Sequence, residues 1–401
     1  MPFDIEDARA RLAGLERFRP GDLRRRIEAL ARPRMTGSEG ADAVEQELRS
    51  EFEELGYEVQ ELPFSFSNWP GRLGICVAGG AVGLAGAVGG GLLAADRPVV
   101  ALIVLVLGMA VAMATFLALD TALHKLPRGR TEGRNLLFTR PGSRPAWIIM
   151  AHRDSKSQFV PTLVRTGAIT VGAVVWVALV AMTVVWWGGE PFRSTGLAIL
   201  GGALLFAAGL ALALSWASNE SPGALDNASG LAAVQSVAAA ARDNGDIGFL
   251  ITDAEELGLV GARLVVPLLP PVQGIINVDG LDDYGSFIVA EGYGWRRSGS
   301  APQLAAALLT AATALDYPVE RRPLPRSVLV DHMPVAAAGI PALTLLRGGW
   351  ASLLRVHTPR DSADRLDGTG AATGATLLYA AVRLLADDEG SHLAGGRATS
   401  P

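Results

Sequence analysis

Charge, thiols and imidazoles are all scarce in this 401-residue chain. Only 19% of its residues are Asp, Glu, Lys or Arg, against about a quarter in soluble globular domains. The single cysteine, Cys76, lies inside an apolar run. That excludes an intramolecular disulfide and a thiolate-rich metal site, and it fits a reducing compartment. Histidine occurs five times, and no HExxH pair is present, so a zincin mechanism has no support. The net charge is a mild −5, with no stripe of arginines and aromatics, so nucleic acid is not an expected partner. Residues 1–26 are charged throughout and lack an apolar core, and no cleavable signal peptide is expected.

Apolar residues, by contrast, make up half of the chain, and the mean hydropathy is positive. The excess is concentrated in residues 73–95, 99–119, 167–187 and 196–217, none of which contains a charged side chain. Each matches the roughly 20 residues needed to cross a bilayer, whereas globular helices average about 11–12. Asp96-Arg97-Pro98 joins the first pair; a turn with Glu190, Pro191 and Arg193 joins the second. The expectation is a multi-pass membrane protein with four spans arranged as two helical hairpins. Gly79, Gly83, Gly86 and Gly90 form a small-xxx-small pattern that places the first span inside the bundle. Arg72, Lys125, Arg128, Arg130, Arg134, Lys156 and Arg165 flank the spans on the polar side, while the turns carry only Arg97 and Arg193. By the positive-inside rule the polar domain faces the cytoplasm, most simply at the plasma membrane. The spans carry no ionisable group, which argues against a transporter.

The polar sequence alternates helices with short apolar runs. Residues 57–61, 135–139, 147–151, 248–252, 274–278, 287–290 and 342–346 read as strands. Helical patterns occupy 38–55, with Ser38 as N-cap, 229–242 and 302–315. This is an α/β pattern with a mostly parallel central sheet flanked by helices. Segments 1–71, 121–165 and 218–388 make up one domain, interrupted by hairpins at 72–120 and 166–217; residues 389–401 read as a flexible tail.

Ligands of such sheets bind beyond the carboxyl ends of the strands. His152 and Asp154 follow one apolar run; Glu255 and Glu256 follow another; Asp279 follows a third. Asp226 lies in a turn before a helix, and a loop after 342–346 leads to His357. Singly, each is an ordinary surface acid, turn residue or hydrogen-bonded histidine. Together they are imidazoles and carboxylates without thiolates, a donor set suited to zinc or a similar divalent ion. His124, beside a span, and His392, in the tail, read as incidental.

The segments MTGSEGADAVEQEL, NLLFTRPG, MAHRDS, PGALDNASGLA, TDAEELGLVGA, INVDG, VDHMPVAAAGIPAL and VHTPRDSADRLD resemble those of metallopeptidase family 28, the co-catalytic zinc exopeptidases. They occur in the family's order over residues 34–367, the four apolar runs excepted. The resemblance implies the zinc-exopeptidase fold and two Zn²⁺ ions. Asp226 would bridge the metals; His152 and Asp279 would complete one site, Glu256 and His357 the other. Glu255 would be the general base. Asp154 would orient the His152 imidazole. Asp331 resembles an aspartate near the base, although its position equally suits a helix N-cap. A cis peptide after Asp226 is also implied.

The expected activity is removal of N-terminal residues from peptides that are hydrophobic or held at the bilayer. The hairpins depart from the family pattern, and the second falls between His152 and Asp226. A glutaminyl-peptide cyclase, a carboxypeptidase on the same fold and a non-catalytic receptor stay open, as do the terminal preference and any association between copies.

Overall fold

The computed structural model describes residues 3–121, 125–189, 193–292, 301–324 and 328–396, with main chain only at 118–121 and 387–396. His124, Glu190, Pro191, the side chain of His392 and residues 397–401 lie outside the described residues.

Apolar strands without alternation need cover on both faces. Every residue of Trp147–His152 and of Ile247–Thr252 is buried, so these segments belong at the centre of a sheet. In chain order the strands are β1 (Glu58–Ser67), β2 (Arg130–Thr139), β3 (Trp147–His152), β4 (Ser157–Gln158), β5 (Ala217–Ser218), β6 (Ile247–Thr252), β7 (Gly274–Leu281), β8 (Ser286–Ala290), β9 (Val319–Arg321) and β10 (Ala342–Gly348). Eight of them form one sheet in the order β1-β2-β6-β3-β7-β10-β8-β9. The inner four, β6, β3, β7 and β10, run parallel. Antiparallel pairs join β2 to β6 and β8 to β10. The remaining two strands, β4 and β5, pair with each other.

The helices are α1 (Ile5–Leu12), α2 (Pro20–Leu30), α3 (Glu39–Glu54), α4 (Trp69–Ala94), α5 (Pro98–Thr121), α6 (Thr162–Trp187), α7 (Thr195–Ala213), α8 (Ser229–Ala240), α9 (Val260–Val265), α10 (Pro302–Ala314), α11 (His332–Ala337), α12 (Trp350–Arg355) and α13 (Thr369–Gly396). Ser38 caps α3 through a bond from the Ala41 amide, as its position predicts. On one face of the sheet, α2, α3, α8, α10 and α13 enclose a core containing Phe52, Phe138, Trp147 and Phe249. A smaller core under the other face joins Leu62, Met150 and Leu250 to Val335 of α11.

Several elements run further than their sequence suggests: β1, expected over 57–61, reaches Ser67, and β2, expected over 135–139, begins at Arg130. Pro63 is accommodated opposite Arg134 because β1 is an edge strand with one unpaired side. Helix α13 continues to Gly396, into the segment expected to be a tail.

The four apolar runs form helices α4 to α7, each long and apolar enough to cross a membrane. They make one bundle, with α4 the most buried. Its glycines are the reason. A Cβ on Gly209 of α7 would lie 2.4 Å from Gly83 Cα and 2.5 Å from Gly79 O; one on Gly90 would lie 2.6 Å from Ala198 O and 2.9 Å from Gly202 Cα. Removing the side chains lets the two backbones touch, which is how helices associate where burial from water gives little. Outward residues such as Leu84, Leu107, Val174 and Leu197 are exposed and apolar. Trp69, Phe159 and Trp216 gather where the bundle meets the sheet domain, with Phe159 stacked on Trp216 at 5.5 Å. Trp186 and Trp187 mark the far end, where Trp186 Nε1 donates to Asp96. Aromatics at both ends match the two interfaces of a bilayer.

Gly209→Val is expected to lower bundle stability by about 1–3 kcal/mol through overpacking. Gly80→Ala, where a Cβ meets nothing within 4 Å, serves as the control. Thermal unfolding in detergent checks this: the valine variant melts lower and the alanine variant does not.

Candidate metal centre

The parallel strands β6, β3, β7 and β10 all end on the same side, and the predicted residues lie at those ends. His152 is the last residue of β3 and Asp279 lies two residues before the end of β7. Glu255 and Glu256 follow β6, and His357 follows α12, the helix that leaves β10. Asp226 sits in the distorted segment Ala224–Ala228 before α8, and the Asp226–Asn227 peptide is cis.

His152 Nε2 stands 3.1 Å from Asp226 Oδ1 and 3.7 Å from Asp279 Oδ1. His357 Nε2 stands 3.0 Å from Asp226 Oδ2 and 3.0 Å from Glu256 Oε2. The structure therefore holds two donor groups, His152–Asp226–Asp279 and Asp226–Glu256–His357, and each keeps its donors within 4.8 Å of one another. They share Asp226, one oxygen facing each side. Donors on a tetrahedral ion with bonds of about 2.1 Å stand ~3.4 Å apart, and the separations of 3.0–3.7 Å lie around that value. His152 Nε2 is buried without a hydrogen-bond partner. A buried ring nitrogen aimed at two carboxylates suits a cation. The residues present thus fit a divalent metal.

The site is closed on one side and open on the other. His152 is fully buried, whereas Asp226, Asp279 and His357 each keep some exposure. Burial would lower the His152 pKa, but Glu255, Asp154, Asp226 and Asp279 outweigh it and hold it well above the usual value. Burial would raise Asp226, but His152 and His357 hold it well below the carboxylate range. Glu256 is likewise held at about 2, by His357 and Lys156 against its burial; Lys156 Nζ lies 2.9 Å from Glu256 Oε2. Glu255 goes the other way. Burial pushes it well above its ordinary value, and Glu256, Asp279 and Asp331 add to the rise against His152. Two adjacent glutamates are thus driven apart, the pattern expected when one holds cations and the other moves protons.

Asp154 faces His152 and also serves the neighbouring turn. Its carbonyl oxygen lies 3.1 Å from His152 Nδ1 and its carboxylate 3.6 Å. The carboxylate also accepts the backbone N–H groups of Glu255 and Glu256, both at 3.1 Å. It fixes the turn that presents the two glutamates. Asp331 stands at the N-cap position of α11, but its side chain caps nothing. One oxygen accepts from Thr252 Oγ1, the other has no partner, and burial raises its pKa to about 7. It belongs to the site's electrostatics and not to helix capping.

Sequence reasoning missed several supports. Asp361 accepts from the Leu225 and Asp226 amides at 2.8 and 3.1 Å, which sets the Asp226 turn. Its signal was a carboxylate four residues after His357. Arg34, fully buried, donates from Nε to Arg153 O at 2.6 Å and from Nη2 to Gly223 O at 2.8 Å. It ties the loop after His152 to the turn before Asp226, and burial lowers its pKa to about 10. His332 is buried against Thr344 Oγ1 at 2.7 Å, apart from both donor groups. Asp361→Ala is expected to weaken metal binding by about 10–100-fold, the usual range for a group that positions a ligand. Zinc titration against a chelator, on protein with unchanged circular dichroism, checks it.

Residues 212–382 match the family model "Peptidase family M28". No protein of curated function matches the chain in sequence. Solved structures share the fold. An aminopeptidase from Aneurinibacillus sp. strain AM-1 superposes with a TM-score of 0.53 at 16% identity, over 91% of this chain and 93% of its own. Fimbriiglobus ruber glutaminyl cyclase does so with 0.54 at 16%, over 91% and 94%. Porphyromonas gingivalis glutaminyl cyclase does so with 0.55 at 14%, over 92% and 99%.

Proposed function

We propose that this chain, built around a peptidase family M28 domain, is a membrane-bound zinc exopeptidase of the aminopeptidase type. The observation that carries the reading is Asp226, shared by two donor groups with the buried Glu255 carboxyl among them. His152 and Asp279 would hold one Zn²⁺, Glu256 and His357 a second, with Asp226 between them. When bound, such a pair lowers the pKa of water and polarises a scissile carbonyl. Glu255 takes the proton of the attacking water and returns it to the leaving amine. Its raised basicity suits that exchange, because a base works best with a pKa near the operating pH. The Asp154 carboxylate holds the Glu255–Glu256 turn in place through both transfers. The presence of two complete donor groups favours hydrolysis over the single-metal cyclase alternative.

Helices α4 to α7 are read as membrane spans, with the catalytic domain in the cytoplasm. Both hairpins begin at the site. Gly71, in the first turn of α4, packs so closely on the loop after Glu256 that a Cβ would lie 2.4 Å from Leu257 O. Thr162, the first residue of α6, touches His357. The crevice therefore opens beside the bilayer, which suits peptides that are hydrophobic or tethered to it.

The test is a digest of a peptide library by zinc-loaded protein in nanodiscs, read by mass spectrometry. Loss of N-terminal residues, with acetylated peptides resistant, supports the reading. Loss of ammonia from glutamine-terminated peptides would assign a cyclase, C-terminal trimming a carboxypeptidase, and no turnover a non-catalytic role. Equal turnover of soluble and bilayer-tethered forms of one peptide would remove the membrane preference. Labelling of introduced cysteines from outside the cell, if it reached the catalytic face, would reverse the orientation.

A further inference from the structure

A histidine that ligates through Nε2 needs a partner for Nδ1, because that partner fixes the tautomer and the ring's orientation. For His152 the partner is the Asp154 carbonyl, supplied by the catalytic domain's own loop. For His357 it comes from the inserted hairpin. His357 Nδ1 lies 3.0 Å from Thr162 Oγ1 and 3.3 Å from Gln158 Nε2. Thr162 is the first residue of α6, and Gln158 belongs to β4, one short turn before it.

These contacts form a directed chain. Arg165, in the first turn of α6, donates to Gln158 Oε1 at 2.6 Å. That turns the amide nitrogen of Gln158 toward Thr162, to which it donates at 2.9 Å. Thr162 Oγ1 is left facing the imidazole as an acceptor. Once Nε2 is given over to a cation, the ring proton sits on Nδ1 and Thr162 accepts it. The main chain is held from the same place: the Gln158 N–H donates to His357 O at 2.8 Å. His357 needs that support, since its φ of 61° lies in the left-handed region, uncommon for a residue with a side chain. Gln158 and Thr162 are buried, so water does not substitute for them.

We infer that helix α6 is the positioning element of the Asp226–Glu256–His357 group, with Thr162, Gln158 and Arg165 as positioning residues that act through His357. The hairpin is thus part of the metal site's construction as well as an anchor. The two donor groups depend on different parts of the molecule: His152–Asp226–Asp279 on the sheet domain alone, Asp226–Glu256–His357 on the hairpin too. This rests on the metal-site reading proposed above.

The test is titration of metal-free protein in nanodiscs with Zn²⁺ alone, against a chromophoric chelator. Thr162→Val keeps the side chain's shape and removes the acceptor; Thr162→Ser restores it. The expected result is two ions on wild type, with one of the two bound about tenfold or more weakly by Thr162→Val. Thr162→Ser should recover the loss, and both variants should melt as wild type does. Recovery by serine separates hydrogen bonding at His357 from a general loosening of α6. If Thr162→Val binds both ions as wild type does, or if serine fails to recover the loss, the inference is overturned and the metal site stands. If wild type binds no zinc, both fall.

Discussion

Replacing Glu255 by glutamine is expected to cut turnover by a hundredfold or more while leaving metal content nearly intact. The structure gives reasons for both halves. Glutamine matches glutamate in size, and the backbone at this position is held independently of the side chain, by the Glu255 N–H donating to Asp154 Oδ1. The neighbouring Glu256, proposed as a ligand, is held in the same way through its own N–H. The turn therefore keeps its shape, and both donor groups keep their atoms. Only the proposed proton acceptor is lost. Positioned general bases contribute about 10²–10⁴-fold, and a hundredfold loss corresponds to ~2.7 kcal/mol of barrier. The comparison is Asp226→Ala, which removes the one carboxylate common to both donor groups and should lose metal along with activity. Metal content and turnover measured together separate the two. A glutamine variant with full activity would show that the proton moves elsewhere, and Asp331, buried nearby and raised to about 7, would be the next residue to test.

What was legible in the sequence follows from how local each signal is. The four apolar helices could be read from length and lack of charge alone, because a run of uncharged residues needs no partner to be recognised. The glycines of α4 named its buried face, but the matching Gly202 and Gly209 on α7 escaped notice, since a small residue in an apolar run becomes informative only opposite another. His152, Asp226, Glu255, Glu256, Asp279 and His357 could be picked out because chemistry in a parallel sheet collects at strand exits, and strands are short, local and apolar. The supports were hidden for the opposite reason. Arg34, Asp361 and Thr162 act on main-chain groups or a ring nitrogen more than a hundred residues away, and nothing in their own neighbourhoods marks them. The sequence shows Asp154 as a carboxylate two residues from a histidine, but not that the chain turns so that its carbonyl also meets the ring and its carboxylate takes the Glu255 and Glu256 amides. The extension of β1 through Pro63 was hidden because a proline ends a central strand but not an edge one.

Arg153 lies between two site residues, just past the end of β3, yet its side chain points away from the donor groups into a buried ion-pair cluster, where it should contribute strongly to stability. It is 2% exposed. Its guanidinium donates to Ala41 O at 2.7 Å and to Asp253 Oδ2 at 2.7 Å, and lies 2.9 Å from Glu45 Oε2. Glu45 also meets Arg134 at 2.6 Å, and Asp253 also accepts from Thr36 Oγ1 at 2.7 Å and the Arg134 amide at 3.2 Å. The cluster joins α3, β2, β3 and the loop that carries Glu255. Arg153→Met retains the volume but strands a carboxylate in a buried place, and breaking such a pair costs about 3–5 kcal/mol. The pH dependence has a definite sign. Burial already raises the Asp253 pKa against the lowering effect of Arg153, so without the arginine it rises further. A buried acid with a raised pKa costs stability as pH climbs from the unfolded carboxylate's value toward its own folded one, because over that range the unfolded chain has already released its proton. The gap in melting temperature between wild type and Arg153→Met should therefore widen as pH rises above about 4, the pKa of an unfolded aspartate. A gap of constant size would mean that the arginine serves by packing and its bond to Ala41, and that Asp253 does not carry the charge assigned to it.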